Sequence, residues 1–216
     1  MPAQQHSYDN GLVHVPGFLD EAAQRALLAE IEAVIAAAPL FQPRMPRTGK
    51  PFSVKMTNCG SLGWVSDRDG YRYQPSHPDT GKPWPAIPPL ALGAWEELGH
   101  YPHPPEACLV NVYDLGARMG LHQDRDEDDF DAPVVSLSLG CSCVFRFGGS
   151  MRGGRTESLE LASGDALVLG GPARLAYHGV ARIIAGSSTL LHGNRINLTL
   201  RRVTKPRVAR AKRGHR

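Results

Sequence analysis

No stretch of this 216-residue chain approaches the roughly 20 consecutive apolar residues that cross a bilayer. The opening residues, MPAQQHSYDNG, carry no apolar core of the kind a signal peptide needs. The expectation is therefore a cytoplasmic protein, with no membrane association and no obligate protein partner evident. Cysteine is scarce: Cys59, Cys108, Cys141 and Cys143 form no CxxC pair, and a reducing compartment keeps them as thiols. A zinc site on Cys141 and Cys143 is the minor alternative. No internal repeat is present, and acids are missing altogether from Arg201 onward.

That last absence makes the net charge of +3 misleading. The final segment RRVTKPRVARAKRGHR holds eight Lys or Arg, so the rest of the chain has 16 basic and 21 acidic residues. The tail 204–216 is read as a frayed basic extension that either touches phosphate backbones or simply stays solvated. The negative charge is concentrated in LHQDRDEDDF, where six of the eight residues from Asp124 to Asp131 are acids.

What is abundant points to β-structure. Eighteen prolines and 23 glycines supply many turns, and 42% hydrophobic with 21% charged residues is ordinary for one globular domain of this length. GLVHVPGFL (11–19) alternates enough for a first strand. Asp20 is a good N-cap for a helix over 21–38, whose Leu27, Leu28, Ile31, Val34, Ile35 and Ala38 repeat at helical spacing, and Pro39 stops it. Residues 40–88 are rich in Pro, Gly and aromatics. So long a connection without regular structure is functional or disordered, and Trp64, Tyr71, Tyr73 and Trp84 argue against disorder. A short helix over 89–98, closed by Gly99, follows. From Cys108 the text turns strand-like: CLVNVYDLG, PVVSLSLGC, CVFRFGG, SLELASGDALVLGG, ARLAYHGV and RINLTLRRV. Within the fourth, SGD signals a hairpin. This many short strands predict a sandwich or barrel.

Successive side chains of a strand point to opposite faces, so an extended 121–124 turns His122 and Asp124 the same way. His178, near a strand end in AYHGV, is the best third member. Two imidazoles and one carboxylate on one face of an octahedron leave three positions open, which suits Fe(II) that must bind a co-substrate and O2. Taken alone, an HxD with a later His arises often by chance and more often describes loop residues in solvent. NRINLTLRR adds weight: Arg195, Asn197, Thr199 and Arg201 share one face, and Ile196, Leu198 and Leu200 the other. Paired guanidinium groups suit a dicarboxylate. LVNVY repeats the pattern, with Asn111 and Tyr113 on one face and Val110 and Val112 on the other. The bland alternative is that both polar faces look at water.

Together NVYDLGARMGLHQDRDE, MTNCGSLGW, GKPWPAIP, VVSLSLG and RINLTLR resemble the AlkB family of Fe(II)- and 2-oxoglutarate-dependent nucleic-acid demethylases, in register from about residue 11 to 203. The resemblance implies a mainly β protein with flanking helices: a double-stranded β-helix, or jelly roll, over 108–203. Residues 1–107 are then an N-terminal extension with a nucleotide-recognition lid over about 40–88, packed on the core as one domain. It implies Fe(II), with His122, Asp124 and His178 as ligands, and O2. It places 2-oxoglutarate on Asn111, Val112, Tyr113, Arg195, Asn197 and Arg201, with Arg195 toward the far carboxylate and Arg201 nearer the iron. Val112 stands where relatives in the bacterial branch can carry an arginine. Base-binding residues fall on Trp64, Tyr71, Tyr73, Asp126 and Arg152.

The implied activity is oxidative demethylation of 1-methyladenine- and 3-methylcytosine-type bases in methylated DNA, preferably single-stranded, or in RNA. Formaldehyde leaves and the base is restored, a direct reversal of alkylation damage. Trp64 and His122 would sandwich the base and Asp126 would favour its cationic form. Glu127, Asp128, Asp129 and Asp131 are expected in a solvated loop that repels phosphates, which Lys55, Arg72 and Arg152 would meet instead. The rivals are a related oxygenase acting on RNA, protein or a small molecule, and a non-catalytic jelly-roll binding module.

Overall fold

A strand that is apolar on one face and polar but buried on the other must lie between two layers, and the C-terminal RINLTLR does. The structure is a computed structural model, which describes residues 5–206. The basic residues 207–216 lie outside the described residues, and with them most of the expected tail. In chain order the elements are β1 (His6–Ser7), β2 (Leu12–Val15), α1 (Glu21–Ala37), β3 (Lys55–Gly60), β4 (Gly63–Asp67) and β5 (Gly70–Gln74). Then come α2 (Pro89–Gly99), β6 (Ala107–Tyr113), β7 (Met119–His122), β8 (Val134–Gly140) and β9 (Cys143–Gly148). The chain closes with β10 (Thr156–Leu161), β11 (Ala166–Leu169), β12 (His178–Ile183) and β13 (Arg195–Arg201).

The strands form a seven-stranded sheet in the order β1-β2-β11-β8-β13-β6-β3, a four-stranded sheet in the order β10-β9-β12-β7, and the separate hairpin β4-β5. One apolar core lies between the two large sheets, joining Leu109, Leu167 and Leu169 to Phe145, Phe147 and Val180. A second lies under the helices, where Ile196, Leu198 and Leu200 of β13 meet Leu27 and Ile31 of α1 and Trp95 of α2. The layers are thus helices, large sheet, small sheet, and the fold is a jelly roll. Both faces of β13 are covered, Arg195 and Arg201 being 1% and 7% exposed, so the solvent-facing alternative for that strand does not hold.

Helix α1 starts where Asp20 caps it, its Oδ1 accepting from the Ala23 N–H at 2.8 Å. It packs by the expected stripe, with Leu27, Ile31, Val34 and Ala38 buried. Helix α2 begins after Pro88, but its stop is not Gly99: the left-handed residue is His100, at φ 47°. The segment 40–88 holds regular structure that composition concealed, namely β3, β4 and β5. The SGD turn is not a hairpin either. β10 pairs with β9 in the small sheet and β11 with β2 and β8 in the large one, so the turn carries the chain between sheets. Asp165 makes that crossover rigid: its carboxylate accepts from the Gly17 and Ala162 N–H groups and meets His14 Nε2, each at 2.9 Å.

Candidate active site

The end of β7 lies directly opposite the start of β12, and His122 and His178 are cross-strand partners there. Their close approach depends on Gly179. A Cβ at that position would stand 2.6 Å from the Met119 carbonyl oxygen and 2.8 Å from that of Gly120. The two imidazole rings are 4.6 Å apart between centroids. Asp124 lies two residues beyond the strand, and its carboxylate oxygens are 3.7 Å from Nε2 of each histidine. One donor atom from each of the three residues lies within 4.8 Å of the others, and no other such His/Cys/Asp/Glu group occurs among the described residues. Cys141 and Cys143 are buried thiols outside it.

The protonation of this cluster follows from its neighbours. Nδ1 of His122 faces the Gly120 carbonyl and Nδ1 of His178 the Ala176 carbonyl, both at 2.9 Å. A carbonyl only accepts, so each Nδ1 carries a proton and each Nε2 is the nitrogen turned toward Asp124. Burial pushes the His178 pKa down to about 4, against the opposing pull of Asp124. For Asp124, burial alone raises the pKa. Arg201 first, then His178, His122 and Arg174, outweigh it and hold the carboxyl well below its usual range. The result is a carboxylate facing two imidazoles.

Arg201 Nη2 pairs with Asp124 Oδ1 at 2.8 Å, and its Nη1 donates to Glu127 Oε1 at 3.0 Å and to the Tyr73 hydroxyl at 3.1 Å. Tyr73 itself donates to Glu127. Glu127 and Asp129 are 3% and 0% exposed, which overturns the expectation that they solvate the loop. Glu127 neutralises Arg201 and Arg174, and Asp129 accepts from the Tyr101 hydroxyl at 2.8 Å. The acids are dense here because the interior they enter already contains two guanidinium groups. Nothing in the spacing separated these two from exposed Asp126 and Asp128, and Arg174 gave no signal in the sequence.

A cavity of about 430 Å³ opens above the three residues and reaches Asn111, Tyr113, Ser136, Thr199 and Arg201 below and Trp64, Tyr71, Asp126 and Arg152 at the mouth. One of the anticipated co-substrate residues is placed otherwise. Val112 does not line the cavity: it points to the opposite face of β6 and packs against the core under the helices. Arg195 is on the same face of β13 as Thr199 and Arg201, buried, donating to Ser138 Oγ at 2.8 Å and the Cys141 carbonyl at 3.4 Å. Asn197, on that face too, donates to Ser136 Oγ at 2.7 Å and accepts from Thr199 Oγ1 at 3.0 Å. Ser136 and Thr199, which do reach the cavity, were legible as the polar face of their strands.

On the substrate side, Trp64 and Tyr71 stack at 5.6 Å with ring planes 16° apart. Trp64 Nε1 donates to Asp126 Oδ2 at 2.8 Å, so the exposed carboxylate is fixed at the rim. Tyr73 does not belong to that surface, since its hydroxyl is turned inward to Glu127 and Arg201. Arg72 is held by both carboxylate oxygens of Asp67, at 2.8 Å each, and is less free for phosphate than expected. Lys55 and Arg152 are exposed.

The donors fit Fe(II) and a dianion. Asp124 Oδ2 is buried without a hydrogen-bond partner beside the Nε2 atoms of two imidazoles, as a metal-ligating oxygen should be. Asn111 Oδ1 and the Nε atoms of Arg195 and Arg201 are likewise buried and unpartnered. Fold and site together define a non-haem Fe(II) oxygenase of the kind that uses an acidic co-substrate.

Comparison with known proteins agrees. Residues 11–201 match the 2OG-Fe(II) oxygenase superfamily. The chain is 59% identical to the alpha-ketoglutarate-dependent dioxygenase AlkB homolog of Caulobacter vibrioides, over 87% of this chain and 85% of that protein. It is 43% identical to alpha-ketoglutarate-dependent dioxygenase AlkB of Escherichia coli K12, over 90% and 91%. Among solved structures, OsALKBH1 superposes with a TM-score of 0.76 at 28% identity, covering 92% of this chain and all of that one. The chain belongs to the AlkB family of the 2OG-Fe(II) oxygenase superfamily. It is an Fe(II)- and 2-oxoglutarate-dependent dioxygenase that takes O2 as co-substrate. No helix among the described residues is long and apolar enough to cross a membrane.

Proposed function

We propose that this protein removes N-linked methyl groups from 1-methyladenine- and 3-methylcytosine-type bases in DNA, single strands ahead of duplex. The observation that carries the reading is a stacked Trp64–Tyr71 pair, with Asp126 fixed against it, at the mouth of the cavity that has His122, Asp124 and His178 at its floor. When bound, Fe(II) and 2-oxoglutarate supply the oxidising chemistry: methylated base, O2 and 2-oxoglutarate become restored base, formaldehyde, succinate and CO2.

The chain's own residues supply position and charge. His122, Asp124 and His178 would hold the metal. Asn111, Tyr113, Arg195, Asn197 and Arg201 receive 2-oxoglutarate, Arg195 toward the far carboxylate and Arg201 nearer the iron. Residues 40–88 form the nucleotide-recognition lid. A base must leave its stack to reach the floor, which costs a few kcal/mol in a duplex and little in a single strand. Trp64 and the His122 ring then clamp it, and aromatic stacking contributes roughly 1–3 kcal/mol. The methylated bases are cations and the restored ones neutral, so Asp126 favours substrate over product and eases release. Arg152 meets a flanking phosphate at the mouth.

The test is anaerobic loading with Fe(II) and 2-oxoglutarate, then air and a panel of methylated DNA and RNA oligomers read by mass. Loss of one methyl mass with matching formaldehyde from methylated DNA is expected. Turnover confined to RNA moves the substrate assignment there. Formaldehyde from no oligomer, with succinate still formed, points to another substrate, and succinate at background points to a binding module.

A further inference from the structure

Arg174 has no role in the chemistry described above, yet it is charged and only 3% exposed. It follows a short helical turn, Gly171–Ala173, between β11 and β12. All hydrogen bonds of its guanidinium go to the stretch 124–132. Nη1 donates to the Asp124 carbonyl at 2.7 Å, Nε to the Ala132 carbonyl at 2.9 Å and Nη2 to Glu127 Oε2 at 3.1 Å. The Phe130 ring lies against the guanidinium, 5.4 Å from its centroid. Glu127 passes the restraint on, because its other oxygen takes Arg201, which itself grips Asp124.

Asp124 needs such a hold. Strand β7 ends at His122, so the loop residue that supplies the carboxylate lies outside the sheet ladder that fixes the two histidines. We propose that Arg174 is a positioning residue for the metal site: it fixes the main chain of Asp124, and so directs the carboxylate at the two Nε2 atoms. A planar fork with donors on three nitrogens can serve three acceptors at once, whereas a lysine ammonium on its flexible stem cannot reproduce that geometry. Supporting groups of this kind typically change metal affinity by about 10–100-fold when removed. The proposal rests on Asp124 being a ligand.

Mn(II), which is redox-silent, serves as the probe, its affinity and spectrum read by electron paramagnetic resonance on the full chain. Measurements are made where circular dichroism shows each variant folded. Arg174→Gln is expected to bind Mn(II) about 10–100-fold more weakly than the parent, with a broadened spectrum, and Arg174→Lys to fall between. At saturating Fe(II), kcat falls while the KM for a methylated oligonucleotide stays put. A residue needed only for stability lowers the melting temperature and leaves the affinity of the folded protein unchanged. Parent-like Mn(II) binding by folded Arg174→Gln overturns the proposal. If that variant does not fold, Arg174→Lys decides in the same way, and if neither folds, Arg174 is a folding residue and the proposal fails. Parent-like binding by Asp124→Ala removes the ligand assignment itself, whatever Arg174 does.

Discussion

At the scale of single residues, the rim and the interior of the acidic loop behave oppositely. Asp126 is exposed and tied to Trp64, whereas Glu127, its neighbour in sequence, is sealed behind Tyr73 and two arginines. Trp64→Ala removes a stacking surface worth roughly 1–3 kcal/mol, so the KM for a methylated oligonucleotide is expected to rise about 5–150-fold. Because Trp64 is buried in the core the melting temperature falls as well, and kinetics are compared where circular dichroism shows the variant folded. Asp126→Asn keeps the shape and removes the charge. Its expected effect is narrower discrimination: unmethylated oligomers, weak competitors of the parent, become nearly as effective against it as methylated ones. Because the two side chains touch, the double variant should lose less than the product of the single losses, which steady-state kinetics on all four proteins will show. Strict multiplicativity would mean that the Trp64–Asp126 bond does not orient the carboxylate in solution.

At the scale of elements, two contacts hold the strands that carry the chemistry. Gly179→Ala forces a Cβ against the Met119 and Gly120 carbonyl oxygens and pushes β12 away from β7. The histidines then separate, and both Mn(II) affinity and melting temperature should fall. Asp165 tests pH. Burial alone raises its pKa, but His14 and the Gly17 and Ala162 N–H groups outweigh that and hold it below the ordinary carboxylate range. A depressed folded-state pKa means that the native protein binds this proton less readily than the unfolded chain. The stabilisation is therefore complete above the unfolded value of about 3.9 and drains away as pH falls through the folded one. Melting temperatures across pH should show Asp165→Asn destabilised near neutrality, with the gap to the parent closing below about pH 4. A gap that stays constant into acid would exclude the carboxylate charge as its cause.

At the scale of the whole molecule, charge is arranged by function. The turn that contributes Met45 to the cavity mouth also carries Arg47 and Lys50, both exposed, and Arg125 and Arg152 lie on the same rim. A strand laid across it should lose affinity with salt, log K falling against log salt by about 0.7 per phosphate contacted in single-stranded DNA. Titrations of one oligomer at several ionic strengths measure that slope, and a flat response would remove phosphate contacts from the account.

Local periodicity and turn chemistry were legible in the sequence: the Asp20 cap and apolar stripe of α1, the alternation of β6, β8 and β13, and the same-face spacing of His122 and Asp124. These are properties of residues a few positions apart, and the chain encodes them directly. The motif likeness carried the family, and with it the ligand role of His178, already the best third member by its place near a strand end. Only the tertiary structure decided the rest, because it depends on which distant segments become neighbours. It sent the SGD turn across the sandwich rather than into a hairpin and drew three strands out of a Pro- and Gly-rich segment by pairing β3 with β6 and β4 with β5. It also buried Glu127 and Asp129 while leaving Asp126 and Asp128 in water. An acidic side chain enters an interior only where a cation or a hydroxyl awaits it, and Arg174, Arg201, Tyr73 and Tyr101 come to that loop from as many as 74 residues away.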